Sequence, residues 1–293
     1  MIYLLRHLKE FNAKVQGKNV FLFLDYDGTI VPIAERPGKA KLSRETKIIL
    51  KKLSNTPGVI IAVVTGRPLS NIMSAIALKK MIYVGNHGLE IAGPDFTYAV
   101  CIPRRFTTLL KELKTLLIDI FRKIHGLMIE DKKVALAIHY RNVDPGKIRS
   151  IKQSISDALC RCDSLKILRV EEGKKVYEIR PAIDWNKGDA VSWLMTKYAT
   201  EPFSLTHHVK NDHIIHRLQK WPNSITRKSP KSPFVAIFIG DDITDENGFH
   251  AVNDHGISIH VGKTGASSAV YYVKDPAEVA HVLEEIHGRS SND

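Results

Sequence analysis

The chain has 293 residues, of which 44% are hydrophobic and 25% charged, and its formal net charge is +12. This composition is typical of a soluble globular protein, the length favours two domains, and no apolar run approaches the ~20 residues of a membrane-spanning helix. A basic chain suits nucleic acid and anionic small molecules alike, so the charge alone does not choose between these partners.

The cysteines and the N-terminus indicate a compartment. Cys101, Cys160 and Cys162 are too few for a disulfide framework, and the last two lack the second pair of a zinc site. Arg6 and Lys9 interrupt the apolar N-terminal residues, which argues against a signal peptide. We therefore expect a cytoplasmic protein.

Residues 20–24 are uniformly apolar, which predicts a strand buried on both faces of a parallel sheet. Asp25 and Asp27 follow, and residues two apart on an extended backbone point to the same side. Gly28 then permits a positive φ or a close approach of the backbone. The pattern suits a nucleophilic carboxylate, a carboxylate that donates a proton, and a metal that screens both from a phosphate. The alternative is a strand followed by an acidic turn.

Helix and strand patterns alternate as far as residue 90. Thr65, Gly66 and Arg67 follow a predicted strand, where a hydroxyl, backbone N–H groups and a helix N-terminus can hold a phosphate. A plain strand-to-helix turn is the alternative there, and a surface turn is the alternative for the polar loop 85–90. The predicted helices cover residues 1–16, 44–53 (capped by Ser43) and 69–78, and the predicted strands cover residues 59–64 and 81–84.

The pattern changes between residues 98 and 181, where each of two helices precedes an alternating stretch. This repetition predicts an antiparallel α+β lobe at 101–182, inserted between two parts of the first domain at 1–100 and 183–293. Charged residues on its strands belong either to a solvated face or to a ligand site. The predicted helices cover residues 106–125 and 145–159, and the alternating stretches cover residues 127–140 and 165–179.

The last third of the chain carries a lysine at a helix start and an acidic loop. Lys187 precedes a predicted helix at 189–197, where a cation opposes the helix dipole unless an anion is bound. Gly240-Asp241-Asp242-Ile243-Thr244-Asp245-Glu246 follows a buried strand at 234–239, and its four carboxylates suit Mg²⁺. An exposed acidic loop is the alternative. A strand at 257–261 and a helix at 276–286 complete the prediction.

Together these motifs resemble a known superfamily. DYDGT, VVTGR, Lys187 and GDDITDE match the four motifs of the haloacid dehalogenase superfamily. Within it, DYDGTI, TGRP, GNHGLE, HYR, EIRP, NKGDA and GDDITDENGF resemble the trehalose-6-phosphate phosphatase family, from about residue 20 to residue 272. The resemblance implies an α/β fold, with a Rossmann-like core of mainly parallel sheet and an inserted α+β cap. It also implies Mg²⁺-dependent hydrolysis of trehalose 6-phosphate.

The resemblance further implies residue roles. Asp25 attacks phosphorus and forms an aspartyl-phosphate, and Asp27 protonates the leaving sugar and then activates water. Thr65 and Lys187 stabilise the phosphoryl group, and Mg²⁺ is held by Asp25, the Asp27 carbonyl and Asp241. Supporting residues around this centre would be Arg67, Asp242 and Asp245, and sugar-binding residues would be Asn86, Glu130, Lys132, Arg141 and Glu178.

One segment departs from the family pattern. Residues 206–233 are rich in histidine, lysine and arginine, where the family has a shorter connection. A solvated basic loop is the favoured interpretation, and a contact with a partner or polyanion is the other hypothesis. No stretch resembles a fused synthase domain, so we expect a free-standing phosphatase.

Three alternatives to this function stay open. The substrate can instead be another sugar phosphate, such as sucrose 6-phosphate, mannosyl-3-phosphoglycerate or glucosylglycerol phosphate. The chain can also be a non-catalytic sugar-phosphate sensor. Nucleic-acid binding rests on net charge alone and ranks last.

Overall fold

The computed structural model describes residues 1–33, 40–161, 167–200, 234–254, 256–262 and 266–290. The chain divides into two compact units. Unit 1 comprises Met1–Val100 and Trp185–Asp293, and unit 2 comprises Cys101–Asp184. The basic segment 206–233 lies outside the described residues.

The first part of unit 1 alternates strands and helices. Helix α2 begins after Ser43, whose side chain accepts a hydrogen bond from the Thr46 N–H at 3.0 Å, as predicted. The elements are β1 (Ile2–Tyr3), α1 (Leu8–Val15), β2 (Asn19–Leu24), α2 (Arg44–Leu53), β3 (Val59–Val64), α3 (Leu69–Ile76), β4 (Ile82–Gly85), β5 (Glu90–Ala92) and β6 (Thr97–Ala99).

The prediction of a single helix over residues 1–16 is wrong. Strand β1 pairs in parallel with a strand near the C-terminus, Leu4–Arg6 forms a 3₁₀ turn, and the helix covers only Leu8–Val15. The pairing joins residues about 270 positions apart (Tyr3 with Tyr272). Local periodicity carries no signal for such a contact.

Unit 2 is an antiparallel sheet with two helices. Its strands run in the order β7-β8-β10-β9, and every neighbouring pair is antiparallel. The apolar residues of both helices and of one sheet face form one cluster, so the opposite face of the sheet carries the polar side chains. The elements are α4 (Arg104–Phe121), β7 (Met128–Asp131), β8 (Leu136–His139), α5 (Ile148–Arg161), β9 (Leu168–Gly173) and β10 (Val176–Pro181).

The second part of unit 1 completes its sheet. The strand order is β1-β13-β12-β11-β2-β3-β4-β5-β6, and the strands from β1 to β4 in that order pair in parallel. Strands β5 and β6 add an antiparallel edge that the sequence patterns did not predict. The remaining elements are α6 (Lys187–Thr200), β11 (Phe234–Gly240), α7 (Glu246–Asn253), β12 (Ile257–Val261), β13 (Tyr271–Val273) and α8 (Pro276–Ser290).

Strand β2 lies in the middle of this sheet and is buried on both faces, as its uniformly apolar sequence predicts. Leu22 and Leu24 pack in an apolar cluster with α2 and α8, whereas Phe21 and Phe23 pack in a second cluster with α6 and α7. The architecture confirms the predicted mixed α/β class with a mainly parallel sheet. Among the described residues, no helix is both long and apolar enough to cross a bilayer.

Candidate active site

Asp25 lies where the strand order of the sheet reverses. From β2 the chain continues to β3 and β4 on one side, and it later returns through β11, β12 and β13 on the other. Open α/β sheets bind ligands at such a reversal, beyond the carboxyl ends of the strands. The Asp25 N–H donates to the Ile239 carbonyl at 2.9 Å, and its side chain is buried. The carboxylate is therefore fixed at the edge where β2 and β11 end.

Lys187 joins two of the acidic side chains that the sequence singles out. Its Nζ donates to Asp25 Oδ1 and to Asp245 Oδ1, both at 2.7 Å, and all three side chains are buried. The three residues come from distant parts of the chain and meet at one point. A charge-assisted pair of this kind is stable in the interior because each charge has a close partner.

The start of α6 fixes the position of Lys187. Asn186 Oδ1 accepts hydrogen bonds from the N–H groups of Gly188 (2.7 Å) and Asp189 (3.3 Å), while Asp189 Oδ2 accepts from the Asn186 N–H (2.7 Å). This reciprocal arrangement is a capping box. The sequence Asn-Lys-Gly-Asp contains its signal, an N-cap residue with an acid three positions later, whereas the predicted helix began only at residue 189.

Asp245 organises the acidic loop after β11. Its Oδ2 accepts from the N–H groups of Asp241 and Asp242, each at 3.0 Å, and its side chain is fully buried. Asp242 caps the following turn, since its Oδ1 accepts from the Ile243 N–H at 2.7 Å. Both oxygens of Asp245 therefore act within the protein, one on the loop and one on Lys187.

Gly28 allows the closest approach in the site. Its φ is +90°, and a Cβ at this position would lie 2.1 Å from Asp241 Oδ2. A side chain here would both strain the backbone and displace the Asp241 carboxylate. The glycine after Asp27 thus permits β2 and β11 to present their acids side by side.

The buried charges shift each other's protonation. Burial raises the pKa of Asp25 well above its usual value, although the Lys187 charge acts in the opposite direction. Burial lowers the pKa of Lys187, but the charges of Asp245 and Asp25 outweigh this effect and raise the pKa above its usual value. Lys187 is therefore a cation at neutral pH. With Asp241 nearby, the acids outnumber this ammonium, which favours a further cation.

The residues present fit Mg²⁺. One carboxylate oxygen from each of Asp25, Asp241 and Asp245 lies within 4.8 Å of the other two, and all three residues are buried. Mg²⁺ prefers oxygen ligands and takes one or two protein carboxylates together with water and phosphate. Because both Asp245 oxygens already accept hydrogen bonds, Asp25 and Asp241 are the better ligand candidates.

Thr65, Arg67 and Asp27 form the other side of the site. The Arg67 N–H donates to Thr65 Oγ1 at 3.2 Å, and Thr65 is buried at the end of β3, directly beside β2. The Arg67 guanidinium binds both carboxylate oxygens of Asp27 at 2.6 Å and lies over the Tyr26 ring, 4.6 Å from its centroid. Arg67, expected from the sequence to support the centre, therefore contacts Asp27 directly.

Asn86 lies beneath the Thr65 loop. The N–H groups of Asn86 and His87 donate to the carbonyls of Arg67 (2.8 Å) and Thr65 (3.0 Å), and both residues have positive φ values, +49° and +56°. The Asn86 side chain is buried and donates to Glu90. These contacts support the loop, and the sugar-binding role of Asn86 stays a prediction.

The other sugar-binding candidates lie in unit 2. Lys132 Nζ lies 3.2 Å from Glu178 Oε1, and both side chains are largely buried. Glu130 Oε2 lies 2.9 Å from Nε2 of His139, the first residue of the HYR motif. Arg141 is exposed and donates to the Lys174 carbonyl at 3.0 Å.

Comparisons with known proteins show which family this chain is similar to. A family model described as trehalose-phosphatase matches residues 23–277. The chain is 30% identical over 284 residues to trehalose-phosphate phosphatase B of Arabidopsis thaliana, an alignment that covers 92% of this chain and 67% of that relative.

Two solved structures share the fold. The C-terminal domain of Candida albicans trehalose-6-phosphate phosphatase aligns over 98% of each chain, with a TM-score of 0.74 and 24% identity. The C-terminal domain of a Candida albicans trehalose synthase regulatory protein aligns over 98% of this chain and 99% of that chain, with a TM-score of 0.68 and 9% identity. These likenesses confirm the predicted fold class. From the family match over most of its length, the chain belongs to the trehalose-phosphatase family, as its motifs predict.

Proposed function

We propose that the protein is a Mg²⁺-dependent phosphatase that hydrolyses trehalose 6-phosphate to trehalose and phosphate through a phosphorylated Asp25. The buried Lys187, 2.7 Å from both Asp25 and Asp245, is the observation that carries the proposal. It places a fixed cation against a carboxylate at the ligand-binding edge of the sheet, which is what transfer of a phosphoryl group to that carboxylate requires. We infer the substrate from the Arabidopsis thaliana relative, which is described as a trehalose-phosphate phosphatase.

In the first half-reaction an oxygen of Asp25 attacks phosphorus and the bond from phosphorus to the sugar oxygen breaks. Asp27 gives its proton to that oxygen, so the sugar leaves as an alcohol. Arg67 orients Asp27 through both carboxylate oxygens. Lys187 and Thr65 compensate the charge on the phosphoryl group.

In the second half-reaction water attacks phosphorus and the acyl-phosphate bond breaks. Asp27, now a carboxylate, takes a proton from this water, which restores its acid form and releases phosphate from Asp25. When bound, Mg²⁺ would neutralise phosphate charge and keep Asp25 ionised despite its burial. Asp25, the Asp27 carbonyl and Asp241 would hold it, with Asp242 and Asp245 orienting the loop.

We further propose that residues 101–182 act as the sugar-recognising cap of the core formed by 1–100 and 183–293. Its acids and bases, Glu130, Lys132, Arg141 and Glu178, supply acceptors and donors for sugar hydroxyls. Paired groups held at fixed places suit a polyol better than a single charge does.

Phosphate release from a panel of sugar phosphates, with and without Mg²⁺, tests the proposal. We expect Mg²⁺-dependent release from trehalose 6-phosphate, far above glucose 6-phosphate, and loss of release in Asp25→Asn. Activity on a different disaccharide phosphate would keep the mechanism and overturn the substrate assignment.

A non-catalytic sugar-phosphate sensor is the second candidate, because the same fold occurs in a regulatory protein. If folded protein released phosphate from no sugar phosphate of the panel, this result would favour the sensor.

Nucleic-acid binding ranks last and predicts that DNA or RNA retains the protein, with a retention that falls steeply as salt is added. A partner contact through residues 206–233 and a cytoplasmic location stay predictions from the sequence.

A further inference from the structure

One face of the unit 2 sheet carries a polar row. Glu130, Ala137, Glu178 and Glu171 pair in register across β7, β8, β10 and β9, so their side chains share the face opposite the helices. Glu130 and Glu178 stand two strands apart, about 10 Å by strand spacing. Ala137, with the smallest side chain of the row, lies between them. The row therefore presents separated acceptors with little bulk between them.

Each acid of this row has a basic partner within unit 2. A carboxylate that is paired in this way keeps lone pairs that can accept further hydrogen bonds. The pairs are Glu130 with His139, Glu178 with Lys132, and Glu171 with Arg180.

His139 contacts Glu130 diagonally across β7 and β8. Its Nε2 lies 2.9 Å from Glu130 Oε2, and the hydrogen bond from His139 lowers the pKa of Glu130 despite partial burial. The Glu130 side chain remains 31% exposed. His139 contacts only Oε2 of Glu130. The contact therefore fixes the carboxylate and leaves Oε1 able to accept a hydrogen bond.

We propose that His139 is a positioning residue for sugar recognition: it fixes the Glu130 carboxylate so that Oε1 accepts a hydrogen bond from a hydroxyl of the disaccharide. The inference rests on the proposed function, since it takes the sugar of a disaccharide phosphate as the ligand. It assigns no chemistry to His139 itself. Without the imidazole, Glu130 must order its own side chain when the sugar binds, and affinity falls by the cost of that ordering.

Steady-state kinetics of His139→Leu on trehalose 6-phosphate and on p-nitrophenyl phosphate test this role. A hydrogen bond to a charged group corresponds to a loss of roughly tenfold to a hundredfold. We expect KM for trehalose 6-phosphate to rise about tenfold, with a much smaller change in kcat. The loss on p-nitrophenyl phosphate, which has no sugar, should be much smaller. His139→Gln, whose amide can replace the Nε2–H donor, should recover most of the loss.

Two controls separate positioning from a general disturbance of unit 2. His125, exposed in a turn of the same unit, gives the matched variant His125→Leu, for which we expect wild-type kinetics. If His139 acts through Glu130, the double variant Glu130→Gln/His139→Leu should be no worse than Glu130→Gln alone. Titration calorimetry with trehalose, which involves no turnover, should rank the affinities of the same variants in the same order.

The outcomes distinguish this inference from the proposed function. If wild-type protein hydrolyses trehalose 6-phosphate and folded His139→Leu retains its KM, the positioning role is overturned and the function stands. Additive losses in the double variant would likewise overturn it. If wild-type protein neither hydrolyses trehalose 6-phosphate nor binds trehalose, the function and the inference fail together.

Discussion

Arg67 binds both carboxylate oxygens of Asp27, through Nε to Oδ2 and through a terminal guanidinium nitrogen to Oδ1, each at 2.6 Å. The guanidinium also lies over the ring of Tyr26, the residue between the two acids of the motif. Bidentate pairing restricts both the position and the plane of a carboxylate. In the proposed mechanism Asp27 is the proton donor, so this pair sets where the proton is offered.

Replacement of Arg67 should therefore harm substrates that need a proton on the leaving group. We expect Arg67→Met to lower kcat/KM for trehalose 6-phosphate by about tenfold to a hundredfold, a part of the roughly 10²–10⁴-fold that a positioned acid or base contributes. p-Nitrophenolate leaves without protonation, so kcat/KM for p-nitrophenyl phosphate should fall much less. Arg67→Lys, which can pair at one point, should lie between wild type and Arg67→Met.

A gain of activity in Arg67→Met would contradict the positioning role of Arg67. If Arg67→Met hydrolysed trehalose 6-phosphate faster than wild type, the pair would hold Asp27 in a resting orientation, and the positioning role would be wrong. Asp27→Asn is the reference variant, because it lacks the proton donor itself. Its loss of kcat/KM should therefore differ most between trehalose 6-phosphate and p-nitrophenyl phosphate.

Lys187 is expected to be important for stability as well as for catalysis. Lys187→Met would leave Asp25 and Asp245 buried without the cation that bridges them. Loss of one partner of a buried ion pair costs about 3–5 kcal/mol of unfolding free energy. Urea denaturation in buffer free of divalent cations measures this change. Lys51→Met, at an exposed position of α2, should change stability by less than about 0.5 kcal/mol, and an equal effect of the two variants would contradict the prediction.

Much of the core site could be predicted from the sequence because its signals are local. The apolar strands β2, β3 and β11 are each followed directly by the polar residues that meet at the edge of the sheet, so strand ends and parallel pairing suffice to place them. The contacts among side chains could not be predicted in this way. No pattern near Asp27 shows that Arg67, forty residues later, pairs with it.

Unit 2 shows the same limit. Alternation in the sequence predicts two pairs of antiparallel strands, but the row formed by Glu130, Ala137 and Glu178 depends on the register between β7, β8 and β10. A slip of one residue would move each of these side chains to the helix-covered face. The contact of His139 with Glu130 likewise depends on the register between β7 and β8.

Glu246, the last acid of the GDDITDE motif, has a structural role that gives a pH dependence. It accepts hydrogen bonds from Ser267 Oγ (2.6 Å) and the Ser268 N–H (2.7 Å), which tie the loop before β13 to the start of α7. Burial raises its pKa, but these hydrogen bonds outweigh burial and lower it. A lowered native pKa means stability that is present above the unfolded pKa and lost as pH falls through the native pKa.

Glu246→Gln should therefore cost about 1–3 kcal/mol of unfolding free energy at neutral pH, the usual penalty when a charged hydrogen-bond acceptor is lost. The difference from wild type should shrink as the pH falls below the usual glutamate value of 4.5. Urea denaturation at a series of pH values checks both statements. A difference that stayed constant down to the acid limit of folding would show that the charge of Glu246 is not the source.

Gly28 and Gly17 provide a matched pair for the contact with Asp241. Both have positive φ, +90° and +66°, so alanine at either position is strained, at a cost of about 1–2 kcal/mol. A Cβ at Gly17 would meet nothing within 4 Å, whereas a Cβ at Gly28 would lie 2.1 Å from Asp241 Oδ2. The backbone penalty is thus comparable, and displacement of the Asp241 carboxylate occurs only in Gly28→Ala.

We therefore expect both variants to lose stability in urea denaturation, but only Gly28→Ala to lose phosphatase activity and Mg²⁺ affinity. Affinity can be measured by the stabilisation that added Mg²⁺ produces, since a ligand that binds only the folded state raises the unfolding free energy with its concentration. Gly17→Ala should show the wild-type increase and Gly28→Ala little or none. Equal stabilisation of the two variants by Mg²⁺ would mean that Asp241 is not a ligand, because its displacement would then have no effect on the ion.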